Sequence, residues 1–138
     1  MINFEINSLG EAVAFVMSKL HCASIKETWS GIAVVITFQG ENYLVTYKRD
    51  YYRNFKYHFP NCKQPDGTDY GWAQVMNKIL IDRACEDYIS FMVFVMPNKK
   101  AYKIKPTVFK EFIMKHNTEV PHLKGEMSIP LQYFERFV

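Results

Sequence analysis

The chain has 138 residues, of which 49% are hydrophobic and 22% charged, with a formal net charge of +3. This length suits one ordinary hydrophobic core, and the composition excludes a disordered or strongly basic chain. The apolar runs are well short of the roughly 20 residues that a membrane-spanning helix needs, and the first residues lack the features of a secretory signal, so we expect a cytoplasmic protein.

The three cysteines, Cys22, Cys62 and Cys85, are scattered and odd in number. They form no C-x-x-C pair, which disfavours a disulfide framework or a four-cysteine zinc site. His58 and Cys62 have the spacing of two metal ligands, but the sequence shows no second matching pair. We therefore predict reduced thiols and no metal site.

The first third of the chain predicts a helix followed by a hairpin. Ser8 and Glu11 form a capping box before apolar residues at helical spacing, so a helix is expected over 8–21. A short strand is expected over 23–28. The next run, 32–38, is rich in β-branched and aromatic residues, which is typical of a strand buried on both faces. Turn residues then lead into a second strand over 43–48.

The middle of the chain predicts a loop and then a helix. Residues 54–70 contain turn residues without periodicity, which indicates a long loop. An apolar stripe from Trp72 to Ala84 predicts a helix that is capped by Thr68 or Asp69 and ends near Asp87.

The last third predicts strands over 88–96 and 101–105, the latter at an edge, and a helix that runs from Pro106 to His116. A short strand over 127–129 and a final helical turn from Pro130 complete the chain. This order predicts an α/β fold, a single-domain α/β sandwich over residues 1–138 with a central mixed sheet.

Positive charge is concentrated in two segments. Five basic residues and one acid lie between positions 48 and 63, and five lysines lie between 99 and 110. The first segment overlaps YKRDYYRNFKYHF, residues 47–59, which also holds six aromatic residues. Lysine and arginine neutralise phosphates, and aromatic rings stack on exposed bases, so this segment predicts a nucleic-acid surface.

The predicted contacts divide into two kinds. The phosphate contacts are Arg49, Arg53, Lys56 and Lys63. The stacking residues are Tyr51, Tyr52, Phe55 and Tyr57, with His58 as a minor one. The same composition is compatible with two alternatives. The aromatic residues pack the segment onto the protein with the charges in water, or they form a homodimer interface.

A helix, then a hairpin whose second strand ends in a lysine, then a helix and a buried strand is similar to the common core of the PD-(D/E)XK, or restriction-endonuclease-like, nuclease superfamily. The resemblance covers roughly residues 8–96 and implies a restriction-endonuclease-like core. Members cleave nucleic acid with a divalent ion such as Mg²⁺. The ion is held by an acid on the first hairpin strand and an acid-x-lysine triplet on the second, and an acid of the first helix often completes the site.

Carried onto this sequence, the triplet falls at Thr46-Tyr47-Lys48 and the helix acid at Glu11. Lys48 matches the pattern. Thr46 stands where the family has a carboxylate, and the strand over 32–38 contains no acid. Glu41 and Asp50 are acids close to the triplet, but neither has the family's spacing.

The resemblance and the basic aromatic segment together predict a nucleic-acid-binding protein of nuclease-like fold, with DNA as the expected partner and without the standard metal-dependent cleavage site. One alternative is an active DNA nuclease or resolvase that uses Mg²⁺. The other is a homodimeric protein-interaction module without enzymatic activity.

Overall fold

A computed structural model describes residues 6–50 and 54–137 of the chain. Over these residues the protein is mixed α/β, with four α-helices and a six-stranded mixed sheet. In chain order the elements are α1 (Leu9–Lys19), β1 (Ser24–Trp29), β2 (Ala33–Phe38), β3 (Glu41–Tyr47), α2 (Phe55–His58), β4 (Ala73–Asn77), α3 (Lys78–Glu86), β5 (Phe91–Val95), β6 (Ala101–Ile104), α4 (Pro106–His116), β7 (Glu126–Pro130), a 3₁₀ turn (Leu131–Tyr133) and β8 (Glu135–Arg136).

The described residues divide into two compact units. The first unit contains residues 6–50, 88–105 and 135–137, and the second contains 54–87 and 106–134. The single-domain organisation of the chain stays a prediction.

The first unit is built on the six-stranded sheet, in the order β1-β2-β3-β5-β6-β8. Strands β3 and β5 run parallel, and every other neighbouring pair is antiparallel. The predicted mixed sheet is therefore confirmed. Helix α1 covers one face, where its Val13 and Val16 pack in one core with Val34, Val45 and Val93.

The predicted hairpin is formed by β2 and β3. Phe38 pairs with Glu41, so Gln39 and Gly40 make a two-residue turn. Their φ angles are 51° and 77°. A type I′ turn requires positive φ at both central positions, and its twist matches that of the two strands. This turn fixes the register of β3, and with it the face on which each β3 side chain lies.

Side chains of β3 alternate between the two faces of the sheet, as in any strand. Tyr43 and Val45 lie on the face covered by α1. Leu44 and Thr46 therefore lie on the opposite face. That face is also buried, because their partners Val35 and Phe94 have almost no solvent-accessible surface. Burial of β2 on both faces is thus confirmed.

The second unit contains a two-stranded sheet of β4 and β7 and the helices α2, α3 and α4. Helices α3 and α4 are joined by an ionic contact in which the Asp82 carboxylate lies 3.3 Å from the Nζ atoms of both Lys78 and Lys110. The predicted helix from Pro106 to His116 is confirmed.

Two predictions for the middle of the chain are wrong. Residues 73–77, expected to be helical, form β4, and the helix begins only after Asn77, whose side chain accepts a hydrogen bond from the Ile79 N–H at 2.9 Å. β4 pairs with β7, and this pairing supplies the backbone hydrogen bonds of a strand. The helical periodicity of residues 72–84 contains no information about β7, so it could not predict this pairing. The predicted long loop also contains helix α2.

Candidate nucleic-acid interface

The nuclease-like triplet lies at the end of β3. The strand ends at Tyr47, but the Lys48 N–H still donates to the Val95 carbonyl at 2.9 Å and continues the pairing with β5. Thr46 and Lys48 are two residues apart and face the same side of the sheet. On that side the Lys48 Nζ lies 5.3 Å from the centre of the Phe94 ring.

Thr46 is buried, and its hydroxyl donates to the Ile32 carbonyl at 3.4 Å. Its Oγ1 is therefore engaged with the backbone of the hairpin. A neutral hydroxyl is also a weak ligand for Mg²⁺, which prefers carboxylates and water.

Glu11 belongs to the predicted capping box of α1, whose N-cap residue is Ser8. Its N–H donates to the Ser8 Oγ at 3.1 Å, and its carboxylate accepts the Asn7 N–H at 2.9 Å. Helix α1 packs on the face of the sheet opposite Thr46 and Lys48. The three positions therefore come from a helix on one face of the sheet and from a strand end whose Thr46 and Lys48 side chains lie on the other.

The other two acids near the triplet lie at or beyond opposite ends of β3. Glu41 lies at the turn end of β3 and accepts a hydrogen bond from the Tyr43 hydroxyl at 2.9 Å. Asp50 is exposed beyond the end of the strand.

The basic aromatic segment begins in the first unit and ends in the second. Arg49 is exposed in the first unit. Tyr51, Tyr52 and Arg53 lie outside the described residues.

Helix α2 gives the rest of the segment two different sides. The Asn54 side chain accepts the Lys56 N–H at 3.2 Å and caps the short helix. Lys56 and Tyr57 are exposed, and the Lys56 Nζ lies 5.8 Å from the centre of the Tyr57 ring. These two residues have the exposure that the prediction of phosphate and base contacts requires.

Phe55, by contrast, is 0% exposed, which corrects its prediction as a stacking residue. Its ring lies 4.6 Å from the ring of Phe59, 5.4 Å from that of Tyr70 and 6.1 Å from that of Phe112, between centres. Phe55 is a core residue of the second unit. For this position the alternative in which the aromatic residues pack the segment onto the protein is correct.

Lys63 is half exposed and lies 3.8 Å from the Asp69 carboxylate, measured from Nζ to Oδ1. The two residues also form an isolated β-bridge. Part of the charge predicted for phosphate contact is therefore balanced by a neighbouring acid, although a surface pair of this kind is weak.

The second unit contains a cleft of about 330 Å³ beside α2. One wall is the end of α2 with the following residues, and the other is the last turn of α4. Its lining residues are His58, Phe59, Pro60, Asn61, Cys62, Lys115 and His116.

At pH 7 the cleft combines the charge of Lys115 with the neutral side chains of His116 and Cys62. Lys115 supplies an exposed ammonium. Burial, with Lys115 beside it, lowers the pKa of His116 below its ordinary value of 6.5, so the imidazole is neutral at pH 7. Burial raises the pKa of the Cys62 thiol, which keeps it protonated and a poor nucleophile.

Sequence reasoning missed Lys115 and His116 as part of this site. They follow the basic aromatic segment by more than fifty residues and look like ordinary basic residues at a helix C-terminus, where they favour the helix dipole. Only the packing of α4 in the second unit brings them to the cleft.

The second basic segment, 99–110, does not present five equivalent charges. Lys103 Nζ lies 4.3 Å from the centre of the Phe91 ring and 3.9 Å from the Glu135 carboxylate. The Lys110 Nζ lies 3.3 Å from the Asp82 carboxylate. Two of the five lysines in this segment therefore lie beside acids, so the segment has less net positive charge around it than its sequence suggests.

Within residues 6–50 and 54–137, no helix is long and apolar enough to cross a membrane. The same residues contain no group of three or more histidine, cysteine or acidic side chains placed to hold a metal ion. Comparisons with protein-family models, with curated proteins and with solved structures gave no match to this chain.

Proposed function

We propose that the protein binds nucleic acid through the face of its second unit formed by α2, residues 59–62 and the end of α4. The observation that carries this proposal is the cleft, because it joins the basic aromatic segment to Lys115 and His116. Positive charge, exposed aromatic surface and polar groups then lie on one compact unit.

The charges of this face suit a polyanion. Lys56 and Lys115 are exposed, and a bound phosphate would release the counterions that surround it in solution. Nucleic-acid affinity therefore falls steeply as the salt concentration rises, whereas an apolar dimer contact is nearly indifferent to salt.

A nuclease-like core is part of the same proposal. It is supported by the order in the chain of α1, the β2–β3 hairpin, α3 and β5, and by Lys48 at the end of the hairpin. With Thr46 buried and Glu11 on the other face of the sheet, binding without the standard cleavage reaction is the function that this arrangement favours.

The test is a binding titration by fluorescence anisotropy with labelled single-stranded and duplex DNA and RNA at several salt concentrations. Lys56→Gln and Lys115→Gln should each weaken binding and reduce the slope of log affinity against log salt by about 1. Lys124→Gln is the matched control, because Lys124 is an exposed lysine of the same unit that does not line the cleft.

Two results would overturn the proposal. One is the absence of binding to all four nucleic acids at low salt by folded protein. The other is binding that the Lys56 and Lys115 variants leave unchanged relative to the Lys124 control.

A further inference from the structure

The size of the cleft limits what can enter it. Its volume of about 330 Å³ is at the low end of the roughly 300–1,000 Å³ found for small-molecule sites. A nucleic-acid duplex is too wide for such a cleft, whereas one nucleotide is of suitable size. The walls are a single helical turn with the following residues on one side and one turn of α4 on the other.

One wall offers an aromatic surface with rigid support. Phe59 lines the cleft and is half-buried. Its ring centre is 4.6 Å from that of Phe55, and Phe55 in turn packs on Phe112, with a centre distance of 6.1 Å. A ring held in this way loses little conformational entropy when a base stacks on it.

The opposite wall offers groups for the rest of a nucleotide. Lys115 is an exposed ammonium suited to a phosphate, and the neutral imidazole of His116 can donate a hydrogen bond from one ring nitrogen and accept one at the other. Asn61 adds an amide, which can hydrogen-bond the edge of a base. The cleft thus has a stacking surface, a cation and neutral polar groups together.

We infer that this cleft takes one unpaired nucleotide, with its base against Phe59 and its phosphate toward Lys115, so that the protein prefers single-stranded nucleic acid. This inference rests on the proposed function and names its substrate class. The faces of paired bases are covered by their stacked neighbours, so a duplex cannot present a base to Phe59.

The first experiment compares a labelled single strand of mixed sequence with a hairpin duplex of the same sequence, by anisotropy at one salt concentration. Stacking of a base on an aromatic side chain contributes about 1–3 kcal/mol, which corresponds to about 5-fold or more in affinity. We expect the single strand to bind tighter than the duplex by at least about 5-fold.

The second experiment tests the ring directly. Phe59→Leu keeps an apolar side chain but removes the flat face, so the affinity for the single strand should fall about 5-fold or more while the weak binding of the duplex stays the same. Tyr88→Leu is the matched control, because Tyr88 is an exposed aromatic residue of the first unit, 86% accessible, and does not line the cleft.

A readout on the wild-type protein does not depend on the folding of a variant. A single strand carrying the fluorescent base 2-aminopurine should change in fluorescence on binding, because the base exchanges its neighbouring bases in the strand for the Phe59 ring, and the same base in the duplex should not change. If Phe59→Leu does not fold, this measurement decides the matter.

The outcomes separate this inference from the proposed function. Equal or tighter binding of the duplex, or a single strand whose 2-aminopurine fluorescence does not change on binding, would overturn the single-nucleotide cleft and leave nucleic-acid binding in place. Absence of binding to both probes would overturn both.

Discussion

At the scale of single residues, the basic aromatic segment separates into side chains with different surroundings. Phe55 and Tyr57 are two positions apart on α2, yet the first is 0% and the second 76% exposed. Composition treats the two rings as equivalent. Packing makes one of them a part of the core and leaves the other available to a partner.

The first prediction compares these two rings. Phe55→Ala should lower the free energy of unfolding by about 3–5 kcal/mol, because it removes a buried ring and leaves a cavity. Tyr57→Ala should change it by no more than about 0.5 kcal/mol, because the ring is exposed. Urea unfolding followed by tryptophan fluorescence measures both. A similar effect of the two changes would contradict the burial of Phe55 and the exposure of Tyr57.

The second prediction concerns His116 and pH. Its pKa in the folded protein is below 6.5, so as the pH falls His116 is protonated in the unfolded chain before it is protonated in the folded protein. The contribution of the neutral imidazole to stability is therefore complete above pH 6.5 and is lost as the pH falls through the pKa of the folded protein.

Urea unfolding at a series of pH values from 7.5 to 5 measures this effect. Stability should decrease with acidity in the wild type, and His116→Gln should flatten that decrease because glutamine does not titrate in this range. An NMR titration of the imidazole gives the pKa independently. A pKa above 6.5 would contradict the environment of His116.

At the scale of elements, the start of α3 is where sequence patterning and structure differ most. The apolar stripe that begins at Trp72 continues across the junction of β4 and α3, so its periodicity gives no sign of the boundary. Asn77 marks that boundary, since its Oδ1 caps α3 and its Nδ2 donates to the Glu126 carboxylate at 3.4 Å. The cap thus also joins the ends of β4 and β7.

The third prediction tests that boundary. Asn77→Ala should lower the free energy of unfolding by about 1 kcal/mol, because the Ile79 N–H at the start of the helix loses its acceptor. Asn77→Ser should retain most of the stability, since a serine hydroxyl is an equally good cap. Denaturant unfolding of the three proteins measures the difference. Equal stability of all three would place the start of the helix elsewhere.

At the scale of the whole molecule, the two faces of the first unit's sheet decide what a nuclease-like arrangement can do. Helix α1, with Glu11 at its start, covers the face that carries Val45, and Thr46 and Lys48 occupy the other. The helix that carries the acid and the side chain of the lysine therefore lie on opposite faces of the sheet.

The fourth prediction follows from this separation. The folded protein should not cleave supercoiled, branched or single-stranded DNA in the presence of Mg²⁺ or Mn²⁺, as measured on agarose and denaturing gels. Lys48→Ala and Glu11→Ala serve as controls for contaminating nucleases. Metal-dependent cleavage by the wild type that either change abolishes would contradict the prediction and restore the active-nuclease alternative.

Some elements of this protein can be predicted from the sequence because the residues that determine them are close together in the chain. The capping box at Ser8 and Glu11, the Gln39-Gly40 turn and Pro106 at the start of α4 each act through neighbouring backbone groups or φ preferences, so a single segment contains the whole reason for the structure. The mixed α/β class follows from the order of such elements.

Tertiary structure decided the rest. Pairing with β7 made a strand of residues that have helical periodicity, and packing on Phe112 buried Phe55. The cleft depends on Lys115 and His116, which lie far along the chain from α2. The sequence by itself determined which residues carry charge and aromatic surface, but long-range packing determined which of them are exposed and which meet, because burial and proximity depend on neighbours that no local pattern contains.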